Sequence, residues 1–458
     1  MRSLRAEMPV SYFANLEVLS GGSIACTVSN LQLDVSKSRL VARADERGTN
    51  ILSFHIALEE MMSETPIATR LMSEFAQRTG LSPVAQNPRR YLWTDAFAVC
   101  NFLELSERTG DQQYRRCAKE LIDQVHRELG RYRSDDVRKG WISGLDDERG
   151  CHHPTLGGLR IGKPLTERAA DESIDEQREW NRDGQYFHYL TKWIHALCQA
   201  AFVIGDNENV RWARELAEIA FRAFVCRSES GEIMGVYWKM STDLSRPLVP
   251  TMGLHDALDG YVTFREVQRA INKIPTHPEV SGFNQAAEAL FALCQHGEWT
   301  TDDPLGAGGL LFDACRLSQL ICQEQPCEPR LLEAVIQGCC NGLMLLLRRG
   351  YLNWPMQHRL AFRELGLAIG LRALPIIANA VGKNESTFES GPALHHTIDL
   401  LLPYESLSEE IIALWLRHAE LQHESWKAHQ DINEVMLATA IVPDTFLSVG
   451  ERYMRQAR

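Results

Sequence analysis

Residues 181–197 read NRDGQYFHYLTKWIHAL. Tyr186, Phe187, Leu190, Trp193, Ile194 and Leu197 recur at three- and four-residue steps, which gives a helix with one broad apolar face. Gln185, His188, Lys192, His195 and Gln199 form a second, polar stripe on the same helix. A polar stripe on so aromatic a helix points either to bulk solvent or into an internal cavity. The neighbouring segments decide between them.

Those segments fall into two kinds. One kind is amphipathic with a charged face: 111–129 (DQQYRRCAKELIDQVHREL), 207–224, 282–295, 328–349 and 406–420, with 51–77 as a further partner. Asp111 and Asn207 stand at the heads of the first two as capping residues. The other kind is apolar nearly all round: 91–105 (YLWTDAFAVCNFLEL), 181–197, 253–268, 305–321, 358–374 and 429–442. Helices apolar on every side are buried. Gly366 and Gly370 lie four apart, so a neighbouring helix can approach closely there.

Buried and surface helices therefore alternate along the chain. Alternation of this kind closes into a double ring, with inner helices side by side and outer helices covering them. The predicted fold is an all-α (α/α)6 toroid over 51–458, preceded by an N-terminal extension over 1–50. A solenoid of helical hairpins is the competitor. The widely and unevenly spaced buried helices disfavour it, because solenoid repeats run about 20–45 residues. Within the extension, SIACTVSNLQLDV (23–35) reads as a hairpin or an irregular segment. In a closed ring an inner helix has no solvent face, so the stripe through His188 and Lys192 lines the lumen.

Composition fits a globular enzyme-sized protein. The chain has 458 residues, 45% hydrophobic and 24% charged, with 48 basic and 60 acidic residues for a net charge of −12. That balance argues against a nucleic-acid or anionic-membrane surface. No run of about 20 consecutive apolar residues is present, and Asn15 and Glu17 interrupt the apolar N-terminal stretch. Most of the 12 cysteines sit inside helical patterns like small core residues, so reduced thiols and a cytoplasmic location are expected. No cofactor is expected. No metal is expected either, since Cys339–Cys340 has no CxxC partner and the Cys151-His152-His153 run has no second ligand group.

The starts of the inner helices, YLWTDAF, NRDGQYFHYL, GLHDALDGY, TDDPLGAGGL and HQDINEV, together with the alternation over roughly residues 51–445, resemble the six-hairpin glycosidase superfamily of (α/α)6 toroids. The resemblance implies carbohydrate chemistry at the mouth where the inner helices begin, with a small-molecule sugar as partner. It implies hydrolases, lyases and, in related toroids, sugar epimerases and isomerases. It names no single activity, because fold does not fix function.

The residue types at those starts agree with this. Helix N-termini favour carboxylates and oxygen-rich ligands. Asp95, Asp183, Asp256 and Asp303 come from four different inner-helix starts, and glycosidic cleavage needs two carboxylates across one bond. Each also has the position of a simple cap. Asp431 and Glu434 have capping-box spacing, and Asp302–Asp303 beside Pro304 also reads as a turn. Histidine offers the rival chemistry: His188, His255, His358 and His429 lie at or near the same starts and suit proton transfer beside a carbonyl. Related toroid epimerases use such histidines, and GLHDALDGY has a loose likeness to their His-x-x-Glu helix, with Asp259 four residues after His255. Trp93, Trp180, Tyr186 and Trp238 offer rings for sugar stacking. The long connection 131–180 is expected as an ordered lid or pocket wall, with Arg160 and Lys163 as contacts for an acidic substrate.

Three functions follow from these residues. The first is a glycoside hydrolase using paired carboxylates among Asp183, Asp256, Asp303 and Asp95. The second is a sugar epimerase or isomerase using His188, His255 and His358. The third is a non-catalytic sugar- or protein-binding toroid. Gln185, Tyr186, Lys192, Trp93, Trp180, Arg160 and His358 are the expected substrate contacts. The oligomeric state is left open.

Overall fold

The computed structural model describes residues 64–273, 281–323, 327–384, 387–388 and 391–450, and five strands before residue 44. The chain divides into two compact units, Met1–Pro66 and Ile67–Arg458. In the first, β1 (Leu4–Arg5), β2 (Asn15–Val18), β3 (Ile24–Val28), β4 (Leu31–Val35) and β5 (Leu40–Arg43) form an antiparallel meander in chain order. This is more strand than the hairpin expected from SIACTVSNLQLDV. Residues 51–63 of the expected first helix lie outside the described residues.

The second unit is built from helices. Six are α2 (Leu92–Thr109), α4 (Phe187–Ile204), α6 (Asp256–Asn272), α8 (Pro304–Cys322), α10 (Ala361–Arg372) and α14 (Gln430–Ile441). Each packs on the next, and α14 returns to α2, so the six close into a ring. Outside them lie α1 (Glu64–Arg78), α3 (Gln112–Leu129), α5 (Asn207–Phe224), α7 (Ser281–Cys294), α9 (Pro329–Arg348) and α13 (Ser406–Glu420). The (α/α)6 toroid implied by the alternation is therefore present. Two further helices, α11 (Leu374–Lys383) and α12 (Gly391–Leu401), lie in the connection from α10 to α13 and are not evident in the sequence pattern.

Local chemistry sets these boundaries. Asp111 caps α3 by accepting the Gln113 amide, as expected. For α5 the cap is Asp206, which accepts the Glu208 amide, and Asn207 is the first helical residue. At α8–α10 the helices touch through glycines: a Cβ on Gly370 would lie 2.6 Å from the Gly308 Cα, and one on Gly308 would overlap the Gly366 carbonyl. The stretches 329–353 and 361–383 are long and apolar enough to cross a membrane by composition alone, and most of each is buried within the protein.

The end of the ring formed by the inner-helix C-termini is closed by the chain itself. Residues 444–450 run beneath it. Glu104 accepts from the Thr445 amide and hydroxyl, the His195 Nε2 meets the Phe446 carbonyl at 2.9 Å, Gln199 donates to the Ser448 carbonyl and Gln319 donates to the Leu447 carbonyl. The Phe446 ring stacks between Phe97 and Phe312, with both centroids 4.3 Å away. Among the described residues this closes the C-terminal end of the ring and leaves the opposite end, where the inner helices begin, as the candidate mouth.

Candidate active site

The connection 131–180 is ordered and lies against that open end. It contains short helices at Asp147–His152 and Glu176–Glu179. The Leu92 amide at the head of α2 donates to the Ile161 carbonyl, and the Ile161 amide donates to the Gly184 carbonyl just before α4. A small sheet completes the rim: β6 (Gln185–Tyr186) pairs with β9 (Lys239–Met240), which pairs with β10 (Pro247–Val249). The hairpin of β7 (Val225–Arg227) and β8 (Ile233–Val236) precedes β9.

Several sequence candidates are structural at this rim. Asp183 is fully buried; it takes the Arg160 guanidinium at 2.5 Å and the amides of Gly162 and Gly184 at 3.0 and 3.1 Å. Arg160 also donates to the carbonyls of Arg131 and Glu128, so each of its three nitrogens is engaged in fixing the loop. Gln185 is fully buried, accepting from the Leu159 amide and donating to the carbonyls of Gly157 and Thr242. Asp95 is buried against Arg90 at 3.3 Å and accepts the Tyr91 amide; burial pushes its carboxyl up to about 6. Asp303 caps α8 through the Gly306 amide and pairs with Arg363. Asp302 pairs separately with Arg349. The Asp431–Glu434 pair binds Arg78 of α1, and Asp431 does not cap α14. His358 lies exposed in the turn Met356–His358 before α10, and His429 is exposed at the head of α14, with its ring against Phe362.

What the ring does bring together is His188, His255 and Asp256. The His188 ring stacks on Trp238 at 6.0 Å and meets the edge of Trp93 at 5.9 Å, with Tyr186 and Tyr189 closing the other sides. Its Nδ1 lies 3.9 Å from Asp256 Oδ1, beyond hydrogen-bond range, and has no partner among the described residues. His255 precedes α6, and its Nδ1 is likewise buried without a partner. Burial pushes His188 down to about 3 and His255 down to about 4, so both imidazoles are neutral at pH 7. Burial pushes the Asp256 carboxyl up to about 7, against the Gly253 amide that favours its anion. Trp180, 53% exposed, packs edge-on against Trp238 at 5.3 Å and extends the aromatic wall outward.

Below this trio the stripe of α4 meets carboxylates of α6 and α8. Lys192 Nζ lies 2.7 Å from Asp259 Oδ2, and His195 Nδ1 lies 2.9 Å from both Glu266 oxygens. Arg316 is fully buried and binds Asp259 and Asp313 at 2.6 Å and Glu266 at 3.2 Å. Burial would raise Asp259, but Lys192 and Arg316 hold it well below the usual carboxylate range. Asp313 has burial and the Asp259 charge acting together and is pushed up to about 6. Sequence reasoning missed Asp313, Arg316 and Glu266. Their signal is charge inside helices otherwise apolar all round, as in LFDACRLSQL.

No family profile and no curated protein matches this sequence. Among solved structures, it is similar to cellobiose 2-epimerase from Spirochaeta thermophila DSM 6192, at 12% identity and TM-score 0.40 over 72% of this chain and 84% of that one. It is also similar to a D-mannose isomerase, at 13% identity and TM-score 0.38 over 68% and 76%. A third is unsaturated glucuronyl hydrolase from Bacillus sp. GL1, at 14% identity and TM-score 0.29 over 63% and 84%. Likeness of this extent assigns neither a reaction nor a substrate.

Proposed function

We propose that this protein is a carbohydrate-active enzyme that interconverts sugars by moving a proton at the carbon beside the carbonyl, as an epimerase or an aldose–ketose isomerase. One observation carries the reading: two neutral imidazoles, His188 and His255, sit with Asp256 at one aromatic-walled mouth. A neutral imidazole is a competent base for an acidic C–H. A second base on the other side of the substrate lets a proton leave from one face and return to the other. Asp256, titrating near neutrality 3.9 Å from His188, can supply or store a proton. The aromatic rings suit the apolar C–H faces of a pyranose.

The paired-carboxylate reading has less support. Asp183, Asp95 and Asp303 are engaged by Arg160, Arg90 and Arg363, which leaves Asp256 without an evident carboxylate partner among the proposed four.

The test is proton NMR in deuterium oxide with D-mannose, D-glucose and cellobiose. Exchange at C2 with formation of the epimer or ketose is expected. His188→Gln and His255→Gln should each abolish conversion, and each should leave exchange from at most one epimer. Release of free sugar from cellobiose or a longer oligosaccharide, with no C2 exchange, would overturn the reading in favour of hydrolysis.

A further inference from the structure

Deprotonation beside a carbonyl puts negative charge on the carbonyl oxygen, so a site of this kind needs an electrophile. We infer that Lys192 is that electrophile: its ammonium binds the carbonyl oxygen of an open-chain aldose and carries the charge of the enediolate. The inference rests on the proton-transfer reading above and extends it.

Position comes first. Lys192 lies four residues after His188 on the same stripe of α4, so it sits about 6 Å deeper in the lumen. Its Nζ is 5.2 Å from the centre of the Phe312 ring, and Phe312 belongs to the stack with Phe446 that closes the lumen below. Lys192 thus lies between the aromatic mouth and the closed end of the ring. In that position Lys192 would meet the reducing end of a sugar whose other end lies toward Trp180 and Trp238.

Hydrogen-bonding capacity comes second. An ammonium has three donors. Among the described residues Lys192 has one ion-pair partner, Asp259 Oδ2 at 2.7 Å, and its Nζ also lies over the Phe312 ring. Arg316, the other cation of this cluster, is engaged by Asp259, Asp313, Glu266 and Thr263. Arg90, Arg359 and Arg363, nearer the rim, are paired with Asp95, Glu364 and Asp303. Lys192 therefore keeps donor capacity toward the lumen. Its charge acts on His188, His255 and Asp256 together, which puts it within electrostatic reach of every group assigned to proton transfer.

The step balances without a co-reactant. The unprotonated nitrogen of His255 takes the C2 proton. The C–H electron pair forms the C1–C2 double bond, and the carbonyl π pair moves to O1, against Lys192. The protonated Asp256 carboxyl, 3.9 Å from His188 Nδ1, supplies the proton that His188 delivers to the opposite face of C2, giving the epimer, and the proton held by His255 then restores that carboxyl. Alternatively, the C2 hydroxyl proton passes to O1 and C1 is protonated, which gives the ketose.

The experiment compares sodium D-gluconate, whose C1 carboxylate mimics the charged oxygen, with D-glucitol, which has no carbonyl. Binding is read by calorimetry, and turnover by C2 exchange of D-mannose. The wild-type protein should prefer gluconate by at least about tenfold. Lys192→Met should lose that preference and lose about 100-fold or more in kcat with little change in KM, whereas Lys192→Arg should keep part of both. If Lys192→Met does not fold, the Lys192→Met/Asp259→Asn double variant removes both charges and is held to the same outcomes. Wild-type exchange or an unchanged gluconate preference in the folded Met variant overturns the assignment. Absence of C2 exchange in the wild-type protein overturns the proton-transfer reading instead, while the gluconate comparison still decides whether Lys192 binds an anionic oxygen.

Discussion

Replacing Arg316 with Met tests whether the lumen is organised by its charges. The guanidinium is fully buried, with Asp259 and Asp313 at 2.6 Å, Glu266 at 3.2 Å and Thr263 at 3.1 Å. A unit charge pair about 4 Å apart is worth about 4 kcal/mol at an effective dielectric of about 20. Desolvation of the guanidinium offsets much of that, and removing one member of a buried ionic cluster costs about 3–5 kcal/mol. Methionine retains most of the side chain's apolar volume, so the loss is mainly electrostatic. For a unit of this size, the unfolding entropy converts that loss to a fall in Tm of roughly 4–6 °C.

The sign of the pH effect follows from the carboxylates. In the wild-type protein Asp259 is held low, so its contribution is present above its unfolded value and is lost as pH falls. Without Arg316, Asp259 and Glu266 rise, joining Asp313, whose carboxyl is already up at about 6. Groups raised in the folded state stabilise it at low pH and lose that contribution as pH rises through the folded value. The deficit should therefore be largest near pH 8 and shrink toward pH 5. Urea unfolding at both pH values measures it. A loss below about 1 kcal/mol at pH 8, or the same loss at both, would refute the reasoning.

Three further outcomes are expected. Gly308→Ala forces a Cβ into the Gly366 carbonyl and should lower stability by about 1–3 kcal/mol, whereas Gly309→Ala, with nothing within 4 Å, should be neutral or slightly stabilising; thermal unfolding of the pair decides it. Asp183→Asn should lower Tm through the lost Arg160 pair while kcat per folded molecule stays close to wild type; a collapse of kcat without loss of stability would return Asp183 to the catalytic set. If the Asp256 proton is used in turnover, kcat/KM should fall above about pH 7, and Asp256→Asn should remove that limb of the pH–rate profile.

The ring was legible because burial leaves a strong pattern in sequence. LFDACRLSQL and AFRELGLAIG carry apolar residues on every side, and only an inner position accepts that. The Gly366–Gly370 spacing likewise anticipated a close helix contact, which falls at Gly308. Helix α11 was missed because an inner helix running into a short amphipathic one through Ala373 and Leu374 shows no break in hydrophobicity. The meander before residue 44 was underestimated because its strands are short, four or five residues for β2 to β5.

The site was only half legible, for a specific physical reason. A carboxylate at a helix start does the same thing in sequence whether it caps, pairs with an arginine or faces a substrate. Asp183 and Asp256 precede or open successive inner helices and look equivalent. What separates them is the loop between residues 131 and 180, which brings Arg160 back to within 2.5 Å of Asp183 and brings no cation onto Asp256. The same holds for histidine. His188 and His255 each keep an Nδ1 with no partner among the described residues, and no spacing in the sequence separates them from His358 or His429, which lie exposed.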